Sequence, residues 1–136
     1  DINPEVREWK IPQMIIHTII ENEYKYAVNI NQMLTILIKA SKADVNGEEM
    51  LYVEVEDDGA GYPKEVLQFF ENQENTISKT GERVGLKSVK RMMELMYERE
   101  GLFTISNIEP HGCKNTFRIP AHAVQEMKEQ KQIKMD

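Results

Sequence analysis

The sequence predicts an α/β fold, a two-layer sandwich in which helices cover one face of a mixed β-sheet. Three observations predict it. Apolar residues recur at helical spacing in some segments and alternate in others. These segments run in the order helix, two strands, helix, loop, helix, two strands. The 136 residues suffice for one domain with a real core, and 40% hydrophobic with 29% charged residues is the composition of a globular chain.

Residues 1–11 are polar, with a short extended piece around Trp9, Lys10 and Ile11. Pro12 suits the first turn of a helix, where a missing N–H costs nothing. Met14, Ile15, Ile16, Ile19, Ile20, Ala27 and Val28 then fill a mostly buried helix, which Asn29, Ile30 and Asn31 end. Strands are predicted over 33–40 and 50–56, the second alternating Leu51, Val53 and Val55 with Tyr52, Glu54 and Glu56. Asp44, Asn46 and Gly47 make the link between them a hairpin turn.

Pro63 starts a short helix over 64–71, and the polar, aperiodic stretch 72–80 reads as a mobile loop. A helix over 84–99 carries Val89, Met92, Met93 and Met96 at core spacing and stops at Gly101. Strands over 102–107 and 116–119 are joined by a turn containing Pro110, His111 and Gly112. The polar tail, 121–136, is expected to be helical. With no internal repeat or low-complexity tract, the chain reads as one domain over 1–136 with its core in 10–120.

A net charge of −6 argues against nonspecific nucleic-acid binding, which needs Lys and Arg to displace counterions from phosphates. It leaves room for a small anion, which needs only backbone N–H groups and one or two cations. The single cysteine, Cys113, excludes an internal disulfide and suits a reducing compartment. No apolar run approaches the roughly 20 residues of a membrane span, so no membrane insertion by this chain is expected. No signal peptide is seen, and Asp1 in place of Met leads us to expect a domain cut from a longer protein.

Polar groups interrupt the first helix at Glu21, Asn22, Lys25 and Tyr26, which share one side at i, i+1, i+4 and i+5. An Asn oxygen is a neutral, hard ligand for Mg²⁺, a neighbouring Glu can orient or deprotonate a nucleophile, and a Lys can neutralise phosphate charge. In isolation this is also a common solvated helix edge. The strand over 50–56 ends in Asp57, followed by Gly59 and Gly61, which let the backbone turn sharply and approach a flat ligand. A buried carboxylate there accepts from the amino group of adenine, where guanine presents a carbonyl; Asp-Asp-Gly is equally good turn chemistry. A calcium loop is disfavoured, because Tyr62 and Pro63 follow where further oxygen ligands are needed. Gly81, Arg83, Gly85 and Leu86 open the third helix.

In this order the three elements resemble the ATP-binding site of the GHKL superfamily, whose fold is also called the Bergerat fold. The superfamily includes histidine kinases, the gyrase B ATPase, the ninety-kilodalton heat-shock chaperone and the mismatch-repair ATPases. Residues 11–22, reading IPQMIIHTIIEN, are similar to the IPPLLLQPLVEN run of two-component sensor histidine kinases, in particular the bacterial subgroup whose catalytic domains follow an extracellular sensor. The resemblance covers 10–120 and ends in Gly112, Ile119 and Pro120, similar to a GTxxxxxIP ending.

The resemblance implies that Asn22 binds Mg²⁺, that Glu21 is the base and that Lys25 lies on the phosphate side. Asp57 would bond the adenine amine, and Gly59, Gly61, Gly81, Gly85 and Leu86 would shape the pocket and the phosphate loop, with 72–80 as the lid. Three positions depart from the pattern. Tyr26 stands for a histidine, Arg83 for the middle glycine of Gly-x-Gly-x-Gly-Leu, and Cys113 for a threonine that supports the aspartate. Arg83 either crowds the triphosphate or reaches it with its guanidinium. Cys113 also fits the role of a small buried hydrophobe. His17, in place of a glutamine, is expected at the core or rim.

The function so implied is transfer of the ATP γ-phosphoryl group to a histidine in two-component signalling. The partners would be a histidine-bearing dimerisation domain and a response regulator, in a parent protein anchored in the bacterial membrane with this domain in the cytoplasm. His17, His111 and His122 lack the dimerisation-helix context, so the acceptor is expected before Asp1, and this chain alone should not phosphorylate itself. The alternative is a non-catalytic nucleotide-binding or protein-interaction domain with the phosphate site closed by Arg83. A gyrase- or mismatch-repair-type ATPase is weaker, since those domains are larger and carry N-terminal dimerisation segments.

Overall fold

Pro12 closes a short strand, β1 (Lys10–Pro12), and the chain passes directly into helix α1 (Gln13–Ile30). A computed structural model describes residues 2, 4, 10–30, 33–71, 84–120 and 132–134. Strands β2 (Ile36–Val45) and β3 (Glu48–Asp57) form a hairpin. Its two-residue turn puts Asn46 and Gly47 both at positive φ, 53° and 82°, the backbone twist that matches flanking strands. Helix α2 (Lys64–Glu71) begins after Pro63, and α3 (Val84–Tyr97) ends two residues short of expectation, where Glu98 and Gly101 take positive φ. Strands β4 (Phe103–Asn107) and β5 (Cys113–Pro120) complete the sheet.

The sheet order is β2-β3-β5-β4, and all three pairings are antiparallel. The expected mixed character is therefore slight: parallel pairing among the described residues is confined to an isolated bridge between Ile2 and Ala40. One face carries Leu51, Val53 and Val55 of β3 beside Phe117 and Ile119 of β5, all fully buried. The other face carries Lys39–Glu56 and Lys114–Glu54 pairs at 3.5 and 3.2 Å, exposed enough to add little stability. Among the described residues the helices pack on the apolar face, the two-layer sandwich the sequence predicts.

Helix α1 lays Ile15 and Ile19 into the core, and α3 adds Leu86, Val89 and Met93. The two helices approach closely: a Cβ on Gly85 would lie 3.2 Å from Thr18 Cγ2. Phe70 of α2 meets Phe103 edge-on at 5.2 Å, and Phe103 stacks on Phe117 at 4.4 Å, which ties α2 to the sheet. Arg99 grips Glu48 through two bonds of 2.7 and 2.9 Å, joining the end of α3 to the start of β3.

The tail departs from expectation. Gln132–Lys134 forms strand β6, not a helix, and pairs antiparallel with β1, Ile133 opposite Ile11. An extended β1 leaves backbone donors and acceptors open, and a second strand satisfies them where a helix cannot. Residues 121–131 lie outside the described residues.

Candidate functional site

Asp57 is the last residue of β3 and continues the inward row of Leu51, Val53 and Val55, so strand alternation turns its carboxylate into the interior. It is 6% exposed. Its Oδ1 accepts the Gly59 N–H at 2.9 Å, the local bond that starts the turn. Its Oδ2 accepts the Cys113 thiol at 2.6 Å, from the residue paired with it across the sheet. Burial works against the charge, but hydrogen bonds from Glu23, the Cys113 thiol and the Gly59 and Cys113 N–H groups outweigh it. The Asp57 carboxyl is held below the usual carboxylate range. Burial, then the bond to Asp57 and the nearby carboxyl charges, push the Cys113 thiol far up, so it keeps its proton and donates.

Two glycines make this corner possible. Gly112 has φ +116°, and a Cβ there would collide with the Asp57 carbonyl. Gly61 has φ +90°, and a Cβ would come within 2.9 Å of Asn107 Oδ1. Asn107 clamps the next residue both ways, accepting the Tyr62 N–H at 2.6 Å and donating to the Tyr62 carbonyl at 3.0 Å. The Tyr62 hydroxyl donates to Asn115 Oδ1 at 2.6 Å, and Asn115 Nδ2 donates to the Val55 carbonyl at 3.3 Å and to Glu23 Oε1 at 3.4 Å.

Glu23 is the unforeseen member. It is 1% exposed, comes from α1 and hydrogen-bonds Asp57. Asp57, accepting from several donors, is the carboxyl of this pair that is held ionised. Glu23, Asp57 and Cys113 present ligand atoms within 4.8 Å of one another, a spacing a metal would accept. Here it is taken up by direct hydrogen bonds, and a thiol that keeps its proton is a poor metal ligand.

Around this corner the helices place the other predicted residues. Asn22 is half-buried, one turn beyond Thr18, whose methyl faces Gly85 in the first turn of α3. The Asn22 edge thus borders a helix start, where N–H groups are unsatisfied within the helix. The Asn22 amide has a buried Nδ2 with no partner among the described residues. Glu21 is exposed. Lys25 and Tyr26 lie on α1, but their side chains are outside the described residues, as are Gly81, Arg83 and the lid stretch 72–80. Leu86 is buried in the core, so its side chain seats α3. His17 is exposed, not packed, because it falls on the face opposite the Ile15–Ile19 stripe.

The overlooked residues left signals. Ile15, Ile19 and Glu23 follow at i, i+4, i+8, which places a carboxyl on the buried stripe. Asn115 alternates with Cys113, Phe117 and Ile119, but the predicted strand began at 116, three residues after β5 begins.

Residues 10–123 match the family described as histidine kinase-, DNA gyrase B- and HSP90-like ATPases. The chain is also similar to the Sensor protein LytS of Enterococcus faecalis (strain ATCC 700802 / V583), 28% identical over 123 residues. That alignment covers 88% of this chain and 20% of the relative, so the chain spans about a fifth of its length. A match over most of the chain, on a helix-backed antiparallel sheet with a buried aspartate at a strand end, makes this chain a member of the histidine kinase-, DNA gyrase B- and HSP90-like ATPase family.

Proposed function

We propose that this chain is the ATP-binding catalytic domain of a sensor histidine kinase. The observation that carries the reading is Asp57, a buried and ionised acceptor at the end of β3 beside two tight glycine positions. Its carboxylate accepts the exocyclic amine of adenine and repels the carbonyl that guanine presents. Asn22 would hold Mg²⁺. Its half-buried amide, whose Nδ2 has no partner among the described residues, fits that task, since either end of an amide can be turned toward a ligand. A metal held by Asn22 would supply charge neutralisation on the phosphates. Lys25 adds a positive charge on the same helix edge. Residues 81–86 carry the triphosphate on backbone N–H groups at the start of α3.

Glu21, exposed on the rim, receives or orients the proton of the attacking imidazole. The bond from the γ-phosphorus to the bridging oxygen breaks, ADP leaves with the electron pair, and a nitrogen–phosphorus bond forms on the acceptor histidine. That histidine lies on a dimerisation domain of the parent, a response regulator takes the phosphoryl group onward, and the parent is anchored in the bacterial membrane. No helix among the described residues is long and apolar enough to cross a membrane. Calorimetric titration with Mg-ATP and Mg-GTP tests the reading: ATP binds at least about tenfold more tightly. Equal affinity, or no binding at millimolar nucleotide, would overturn it.

A further inference from the structure

Residues 58–61 link the end of β3 to Tyr62 and follow directly on Asp57, the proposed acceptor of the base. Outside the ladder the main chain of such a link needs other partners, and a side chain supplies them at its far end. Asn107 Oδ1 accepts the Tyr62 N–H at 2.6 Å and Asn107 Nδ2 donates to the Tyr62 carbonyl at 3.0 Å, the two bonds a neighbouring strand would make. Asn107 is itself fixed as the last residue of β4, opposite Cys113, which in turn stands opposite Asp57. One rung of the sheet therefore holds both ends of the link, Asp57 directly and Tyr62 through the Asn107 amide. The β4–β5 turn closes on the middle. His111 Nδ1–H donates to the Asp58 carbonyl at 2.9 Å, and a Cβ on Gly61 would lie 3.1 Å from the Gly112 carbonyl oxygen. The Tyr62 hydroxyl bonds Asn115, so the ring and the main chain of Tyr62 have separate anchors.

We infer that Asn107 is a positioning residue for the base of a bound purine nucleotide, holding residues 58–61 in the shape that lets their backbone lie against the ring. The inference rests on the adenine reading of Asp57 above. A flat base approaches a glycine backbone closely only where the chain already runs along its plane. With Tyr62 pinned, the link is ordered before the ligand arrives, and binding need not order it. Asp57 keeps its ladder pairing and its thiol bond whatever Asn107 does. Loosening the link therefore weakens the grip on the whole base and leaves the acceptor of the amine in place. The phosphates lie elsewhere, at the start of α3, so their share of the affinity is untouched.

The experiment measures ATP by calorimetry and adenosine by displacement of ATP on the 136-residue chain. Asn107→Ala weakens both by the same factor, about three- to tenfold, the worth of one or two neutral hydrogen bonds. In the nucleotide-free variant the Gly59 and Tyr62 amides exchange with solvent faster than in the parent, and ATP restores their protection. Arg99→Ala breaks the pair with Glu48 at the opposite end of β3 and lowers stability without weakening either ligand. Should the alanine variant fail to fold, Asn107→Asp decides: it keeps the acceptor for the Tyr62 N–H, loses the donor and weakens both ligands equally, by about two- to threefold. Parent affinities in a folded Asn107 variant, a loss confined to ATP, or the same loss in Arg99→Ala would each overturn the inference and leave the adenine reading intact. A parent chain that binds neither ligand would overturn the adenine reading and this inference with it.

Discussion

Replacing Asn115 with leucine, which has nearly the same shape, separates packing from hydrogen bonding at the centre of the site. Asn115 is 0% exposed and makes three side-chain bonds, the strongest being the 2.6 Å bond from Tyr62. Losing it takes the closest acceptor from a buried hydroxyl, at a cost of about 1–3 kcal/mol. The longer bonds to the Val55 carbonyl and Glu23, at 3.3 and 3.4 Å, add about 0.5–1 kcal/mol each. Apolar burial of the new side chain returns part of this, so the expected net loss is about 2–3 kcal/mol. Urea denaturation reads it: with a slope of about 1.5–2 kcal/mol/M, the midpoint falls by roughly 1–2 M at unchanged slope. The decisive measurement is the double-mutant cycle with Tyr62→Phe. Once Asn115 is gone the hydroxyl has lost its 2.6 Å acceptor, so removing it costs less than in the parent, giving a coupling of about 1–3 kcal/mol. Additivity within about 0.5 kcal/mol would refute the bond and the view that Asn115 links Tyr62 to Glu23.

Asn22→Ala leaves the unfolding midpoint nearly unchanged and abolishes the Mg²⁺ dependence of ATP affinity; unfolding of the variant would make Asn22 structural. Gly112→Ala drives a Cβ into the Asp57 carbonyl and forces a side chain to φ +116°, so it destabilises by more than about 2 kcal/mol and weakens ATP, read by thermal denaturation and titration. Arg83→Gly tightens ATP more than adenosine if, as proposed, only the phosphates meet that stretch. A lowered ratio of ATP to adenosine affinity would make Arg83 a phosphate ligand, and an unchanged ratio would place it in solvent.

Much of this site was legible residue by residue. The Ile15–Ile19 stripe, the Asn46–Gly47 turn, the alternation that ends in Asp57 and the glycines after it are local patterns. Each is imposed by steric and burial preferences acting over about four residues, and each appears in the fold as read. The third helix opened where expected because its apolar spacing begins at Leu86 and Val89.

The contacts that give the site its chemistry are of another kind. Glu23 meets Asp57 across a helix and a strand, Cys113 faces Asp57 because β5 pairs in that register, and Asn115 joins Tyr62 to α1. A one-residue slip of β5 would turn Cys113 and Asn115 to the solvent face without altering their own strand propensity. Nothing within a few residues of Glu23 announces a carboxylate partner 34 positions away, since its burial is favourable only once that partner and Asn115 are in place. The β6 strand has the same origin, as residues 132–134 carry no strong local preference and take their conformation from the open edge of β1. Short-range sterics and periodicity set the elements, while packing between distant segments sets which polar groups share the buried corner.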